Sequence, residues 1–165
     1  MAFDAFLKFT PTVKGESTDK THAGEIEIMS FSFGASNPVS IGSGTTGAGS
    51  GKVHLSSFNI MKKTDSASTS LFKACCSGAH YTDATITLRK AGGATPLEYL
   101  VYQFNTVFVE SIQWSGSTGG DDTPTESVSL AYGSVTITYK TQDAKGGAKD
   151  TLGAGWDQIK NTVAT

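Results

Sequence analysis

Residues 126–140 read ESVSLAYGSVTITYK, and the first half of this stretch sets Val128, Leu130 and Tyr132 on alternate positions. A period of two marks a β-strand with one face in a core, because successive side chains leave a pleated backbone on opposite sides. Across Gly133 the apolar set jumps to Val135, Ile137 and Tyr139. The buried face therefore changes partway along one strand. Residues 25–33 do the same: Ile26 and Ile28 open the apolar set, then Met29, Phe31 and Phe33 take it over and leave Ser30 and Ser32 on the isoleucine side. Two explanations stand open for both strands, a β-bulge within one subunit or burial of one segment against another subunit.

Working outward, the same alternation predicts strands over residues 2–9, 24–35, 52–62, 81–90 and 97–114, the last with a break near Asn105, giving six or seven with 126–140. One helix is expected at about 66–79: Asp65 or Ser66 caps it, Leu71, Phe72, Ala74, Cys75 and Cys76 form its apolar face, and Gly78 stops it. Ala91, Gly92 and Gly93 read as a hairpin connection. The fold class is mainly β, a compact barrel or sandwich of antiparallel strands with one flanking α-helix and long glycine-rich loops. Two such loops, 42–51 (GSGTTGAGSG) and 115–124 (SGSTGGDDTP), cannot bury an apolar face and read as excursions from one domain spanning 1–165.

The 165 residues carry 13 basic and 15 acidic side chains. That balance offers no positive surplus to release counterions from nucleic acid or to bind an anionic membrane surface. No apolar run approaches the roughly 20 residues a membrane helix needs, and the first residues, MAFDAFLKF, lack the pattern of a Sec-type signal. Cys75 and Cys76 are adjacent, outside ordinary disulfide geometry, so reduced thiols and cytosolic synthesis are expected.

Motifs that suggest chemistry fail on context. Residues 42–47 match G-x-G-x-x-G, but they run through more glycine into a strand pattern, whereas a dinucleotide fingerprint must open a helix. Residues 47–52 resemble a phosphate loop with the first glycine too near and Val53 in place of the Mg²⁺-binding hydroxyl. Cys76 and His80 have a metal-ligand spacing without a second pair, and read as a buried cysteine and a helix-end histidine. His22 and His54 are isolated and read as structural, and no G-x-S-x-G elbow occurs. Trp114 and Trp156 suit a core or interface, or else a sugar-binding surface. No catalytic, cofactor or metal residue is assigned.

Several segments together resemble the haemolysin-coregulated protein family, the tube subunit of bacterial type VI secretion systems. They are Val13-Lys14-Gly15-Glu16-Ser17 with Asp19, Lys20, His22, Glu25 and Ile26; Gly51-Lys52-Val53 with Phe58; and Lys63-Thr64-Asp65 with Cys75, Gly78 and His80. Further along come Arg89-Lys90-Ala91-Gly92-Gly93, Glu98-Tyr99-Leu100, Val109-Glu110-Ser111 and Glu126 to Leu130, ending at Tyr139. Their colinearity over nearly the whole chain is what makes the resemblance specific. It implies hexameric rings stacked into a hollow tube, exported with a spike protein and effector cargo from inside a contractile sheath. Synthesis in the bacterial cytoplasm followed by secretion without a Sec signal is implied too, and the chain leaves no room for a C-terminal effector domain.

By the same resemblance the 42–51 excursion reaches a neighbouring subunit or ring. The expected ring or stacking residues are Gly42, Gly44, Thr45, Thr46, Gly47, Gly49 and Gly51, joined by Met29, Phe31 and Phe33 from the parity switch. Ser30 and Ser32 are expected to face the lumen. The readings kept beside this one are a tailed-phage tail-tube protein, a carbohydrate-binding β-sandwich and a cryptic hydrolase.

Overall fold

The computed structural model describes residues 3–41, 49–90, 96–120 and 122–164. Its strands in chain order are β1 (Phe3–Thr10), β2 (Ile26–Glu27), β3 (Ser30–Ser32), β4 (Ala35–Ser36), β5 (Val39–Ser40), β6 (Gly49–Ser50), β7 (His54–Leu55), β8 (Phe58–Lys63), β9 (His80–Lys90), β10 (Leu97–Ser115), β11 (Thr125–Gln142), β12 (Ala148–Asp157) and β13 (Thr162–Val163). Helix α1 (Ser68–Ser77) lies between β8 and β9. The main hydrogen-bonded ladder runs β13-β12-β11-β10-β9-β1-β2, while β8 pairs with β11 and β3 pairs with β8. All of these pairings are antiparallel.

Register explains the core. In the first half of the sheet, Leu7, Ile86, Tyr102, Ile137 and Ala154 form one cross-strand row, and Phe9, Ala84, Phe104, Val135 and Trp156 form the next. In the second half the rows are Val109–Leu130–Phe58 and Ile112–Val128–Ile60–Phe31. The sheet folds over so that these halves face each other. Phe58 meets Tyr102 and Phe104 at ring distances of 5.3 and 5.1 Å, and Phe33 meets Tyr102 at 5.8 Å. Among the described residues the ladder does not close, since β2 and β3 lie on different edges and only the chain between them joins the two.

Both parity switches have a cause the alternation alone could not reveal. In β11 no residue is inserted at Gly133: Asn105–Ser134 and Val107–Tyr132 keep one register with β10. Between those pairs Thr106 takes φ 53°, a left-handed conformation that costs a β-branched residue of order 1–3 kcal/mol. The corner is thus made by a conformational inversion in register, which removes the bulge, one of the two explanations left open for this strand. True register shifts occur elsewhere, at Val109/Ser111 and Glu98/Leu100. At the other switch, the Ile28 N–H donates to the Ala5 carbonyl at 2.9 Å and the Met29 N–H to the Met61 carbonyl at 2.8 Å. One step along the chain moves the backbone from one sheet edge to the other, so the residue parity resets.

The expected strand at 24–35 is therefore three short ones, and that at 52–62 breaks at residues 56–57 into β7 and β8. The strand expected at 97–114 runs unbroken past Asn105. Strand β12 was not expected at all, because its residues are mostly exposed and Gly153 and Gly155 interrupt any apolar pattern. The connection 91–93 lies outside the described residues, with Leu97 paired to Lys90 beside it.

The cap of helix α1 falls two residues after Asp65 and one after Ser66, the two caps expected. Ala67 occupies the cap position, and Asp65 instead accepts the Ala67 N–H at 2.9 Å. Gly78 at φ 67° ends the helix, a conformation glycine adopts without a Cβ clash. Only Ser68, Leu71 and Ala74 are buried in this helix, with Cys75 partly so, because one stripe of a 10-residue helix is all the sheet can cover. Phe72 and Cys76 point outward, which corrects their assignment to the apolar face and the reading of Cys76 as buried.

Candidate assembly surfaces

Three features outside the apolar core come from the same registers. The first is a polar row facing the core. Trp114, Glu126 and Lys62 sit side by side on β10, β11 and β8. Lys62 and Glu126 are fully buried. The Lys62 ammonium donates to Glu126 at 2.8 Å, Asp65 at 2.7 Å and the Lys63 carbonyl at 2.8 Å, and the Trp114 indole N–H donates to Glu126 at 2.6 Å. Burial alone would raise the Glu126 carboxyl, but hydrogen bonds from Lys62, Ser68 and Trp114 outweigh it and hold the group below its ordinary value. Sequence reading missed this row, although a signal exists. Lys62 continues the parity of Phe58 and Ile60, and Glu126 that of Val128 and Leu130, so each strand carries one charge on its core face.

The second is a clasp on the outer face of β1 and β9. Arg89 donates to both carboxylate oxygens of Asp19, at 3.0 and 2.6 Å, and to Asp4 at 3.1 Å. Its hydrogen bonds hold the Asp19 carboxyl well below the usual range. His22 stacks on Phe6 with ring centroids 4.3 Å apart and lies 2.9 Å from Glu25 and 3.3 Å from Glu98. The segment that carries Val13 to Glu25 is thereby pinned over an otherwise exposed Phe6. His22, read as structural from its isolation in sequence, is buried among these contacts.

The third is a hydroxyl-rich face on the side of the second half turned away from the core. Ser30, Met61, Ser127 and Gln113 form one cross-strand row, and Ser32, Asn59, Ser129 and Ser111 the next. Ser129 donates to Asn59 across it. Neither row contains a charge. Ser30 and Ser32 are thus brought together with residues from three other strands.

The expected interface residues scatter. Gly42, Gly44, Thr45, Thr46 and Gly47 lie outside the described residues. Gly49 pairs with Ser40, and Gly51 donates its N–H to the Pro38 carbonyl at 2.8 Å, so β4 to β7 form a hairpin arm. A Cβ on Gly51 would stand 2.6 Å from the Pro38 ring, which leaves glycine alone able to fit. Met29 is half-exposed, while Phe31 and Phe33 pack against Phe58 at 5.4 and 5.7 Å within the chain's own aromatic cluster. Trp114 leans on Phe72 at 5.8 Å with its N–H already engaged, and Trp156 is half-buried. Among the described residues no group of three His, Cys, Asp or Glu side chains could hold a metal, and no helix is long and apolar enough to cross a membrane.

The family model described as "Type VI secretion system effector, Hcp" matches residues 6–139. The chain belongs to the Hcp family. It is 42% identical over 166 residues to protein hcp1 of Pseudomonas aeruginosa, covering 99% of this chain and 100% of that protein. A solved structure of a type six secretion system protein superposes with a TM-score of 0.93 at 36% identity, covering 99% and 100% of the two chains. Hcp1 from Salmonella typhimurium superposes with a TM-score of 0.78 at 35% identity, again over 99% and 100%. The chain is a type VI secretion tube and effector protein with the mainly β fold of its relatives. Hcp proteins are structural and secreted by the type VI system, and do not form an enzyme family.

Proposed function

We propose that identical copies of this chain, each a single domain over 1–165, form six-membered rings that stack into a hollow tube. The tube carries no catalytic activity. It is assembled in the bacterial cytoplasm inside a contractile sheath, meets a spike protein at its tip and leaves the cell with effector cargo, without a Sec signal. It needs neither nucleic acid nor insertion into a membrane.

The observation that carries this reading is the pair of uncharged rows ending at Ser30 and Ser32. Small hydroxyl and amide side chains stay hydrated, leave space and offer no fixed charge on which a passing protein could lodge. Such a face suits the wall of a conduit. An enzyme or glycan receptor would instead gather convergent polar groups in a pocket.

Light scattering with negative-stain imaging tests the assembly: six-fold annuli at six times the chain mass are expected, and a single-chain mass at every concentration overturns the reading. For the lumen, the double substitution Ser30→Leu and Ser32→Leu is expected to leave rings intact while cargo no longer co-purifies. Unchanged retention of cargo would move these serines off the lumen.

A further inference from the structure

Where the backbone steps from one sheet edge to the other at Ile28 and Met29, the wall of the protein holds a cavity of about 370 Å³. That volume is at the small end of ligand pockets, which run from roughly 300 to 1,000 Å³. Three carboxylates line it from three separate segments: Glu16 from the pinned loop, Glu27 from β2 and Asp65 from the turn before α1. Lys63 and Thr64 adjoin Asp65, and Ile28 and Met29 supply an apolar wall.

The polar groups here are not all satisfied from within. The Thr64 N–H donates to the Pro124 carbonyl at 2.9 Å, yet the Thr64 hydroxyl is buried without a hydrogen-bond partner. Burying a hydroxyl alone is unfavourable, so such a group marks a place where something outside the chain supplies the bond. The Glu27 side chain makes no hydrogen bond or ion pair among the described residues. One oxygen of Glu16 accepts the Ser66 N–H at 3.0 Å, and the other is left over. Asp65 shares the Lys62 ammonium with Glu126, so one cation answers two acids. Counting that buried pair behind the cavity, four carboxylates stand against Lys62 and Lys63, which leaves two negative charges in surplus.

The surplus calls for a cation, and the geometry selects its kind. A metal ion draws its oxygen ligands to within about 2.0–2.6 Å of one point. Among the described residues no three His, Cys, Asp or Glu side chains gather in that way. Carboxylates spread around a cavity suit a cation with several N–H groups aimed in different directions. The wall of Ile28 and Met29 suits an aliphatic stem lying beside it. We propose that this cavity binds an ammonium or guanidinium group on an aliphatic stem, held by Glu16, Glu27 and Asp65, with the Thr64 hydroxyl accepting one N–H. A lysine or arginine side chain of another polypeptide and a free polyamine both present this group. The site lies within one chain and does not depend on how copies assemble.

The test follows the Ile28 and Met29 methyl signals of the full chain by NMR during titration with Nα-acetyl-lysine methylamide, Nα-acetyl-arginine methylamide and spermidine. Saturable shifts at both methyls are expected. Glu27→Gln, which has no ion pair of its own to lose, is expected to weaken binding about fivefold, the upper end for an exposed pair. Glu16→Gln with Glu27→Gln is expected to abolish it while the circular dichroism stays unchanged. Nα-acetyl-norleucine methylamide, which has the stem without the charge, is expected to shift neither methyl. Saturation by the amino-acid derivatives assigns the site to a polypeptide side chain, and saturation by spermidine alone assigns it to a polyamine. No saturable shift with any of the three cations, equal affinity in the double variant, or the same shifts from the norleucine derivative overturns the site. None of these results bears on the six-fold annuli, so the ring reading stands or falls separately.

Discussion

Lys62–Glu126 and Arg89–Asp19 are both ion pairs between a cation on one strand and an acid distant in sequence, yet they occupy opposite sides of the protein wall. The first lies in a row of the core face with both partners fully buried and a tryptophan N–H completing it. The second lies on the outer face, where Asp19 comes from a loop and Asp4 is exposed. A buried pair is a condition of the fold, because without Lys62 the Glu126 carboxylate has no cation beside it, and without Glu126 the Lys62 ammonium keeps only Asp65, at 2.7 Å, as counterion. The outer pair is only partly covered, with Arg89 buried and Asp19 at 22% side-chain exposure, and it fastens one segment, so solvent screens part of what it adds. The same chemistry thus serves packing in one place and loop anchoring in the other.

The largest test of this contrast is Glu126→Ala, which strips Lys62 of its buried partner and Trp114 of its acceptor. A loss of about 3–5 kcal/mol is expected in urea unfolding. Replacing both members, Lys62→Met with Glu126→Leu, is expected to recover most of it, since an apolar pair of similar volume needs no counterion. A double variant as unstable as the single one would show that the cost does not come from the orphaned charge.

Acid gives the next effect. The Glu126 carboxyl is held below its ordinary 4.5 in the folded state, so the unfolded chain takes up a proton first as pH falls. Its contribution to stability is fully present above that ordinary value and is lost as pH drops toward the depressed folded one. The urea midpoint of the wild type is expected to fall through this window, and that of Glu126→Gln to fall less. Parallel curves for the two proteins would place the acid sensitivity elsewhere. Trp114→Phe follows in size, removing a charge-assisted hydrogen bond worth about 1.5–3 kcal/mol while keeping the ring against Phe72.

The contrast also marks what sequence could and could not reveal. Alternation exposed β1, β9 and β11 because each sends a run of alternate residues into the core, β11 changing parity once at Gly133. Strand β12 has no such face within its own chain, so nothing in Ala148–Asp157 announced it. Ser30 and Ser32 were readable as a polar segment displaced by the parity switch, but their neighbours Asn59, Ser129 and Ser111 come from registers that only the folded sheet sets. Phe31 and Phe33 looked free to serve an interface for the same reason: the parity switch marks the strand hop at Ile28 and Met29, but not that the hop turns them onto Phe58.

Arg89→Lys sharpens the comparison at its small end. Lysine keeps the positive charge but not the planar fork that grips both oxygens of Asp19, so the two-pronged contact becomes one. Were this pair part of the packing, the unfolding midpoint would drop as it does for Glu126→Ala. The clasp predicts instead a midpoint close to wild type, with faster amide exchange and easier proteolysis confined to the segment between Val13 and Glu25. The Phe6 ring sits between His22 and Arg89, with the guanidinium carbon 5.2 Å from its centroid, so its packing should loosen with that segment. Slower exchange than wild type there, or loosening spread through β1 and β9, would mean that the outer pair acts on the fold itself.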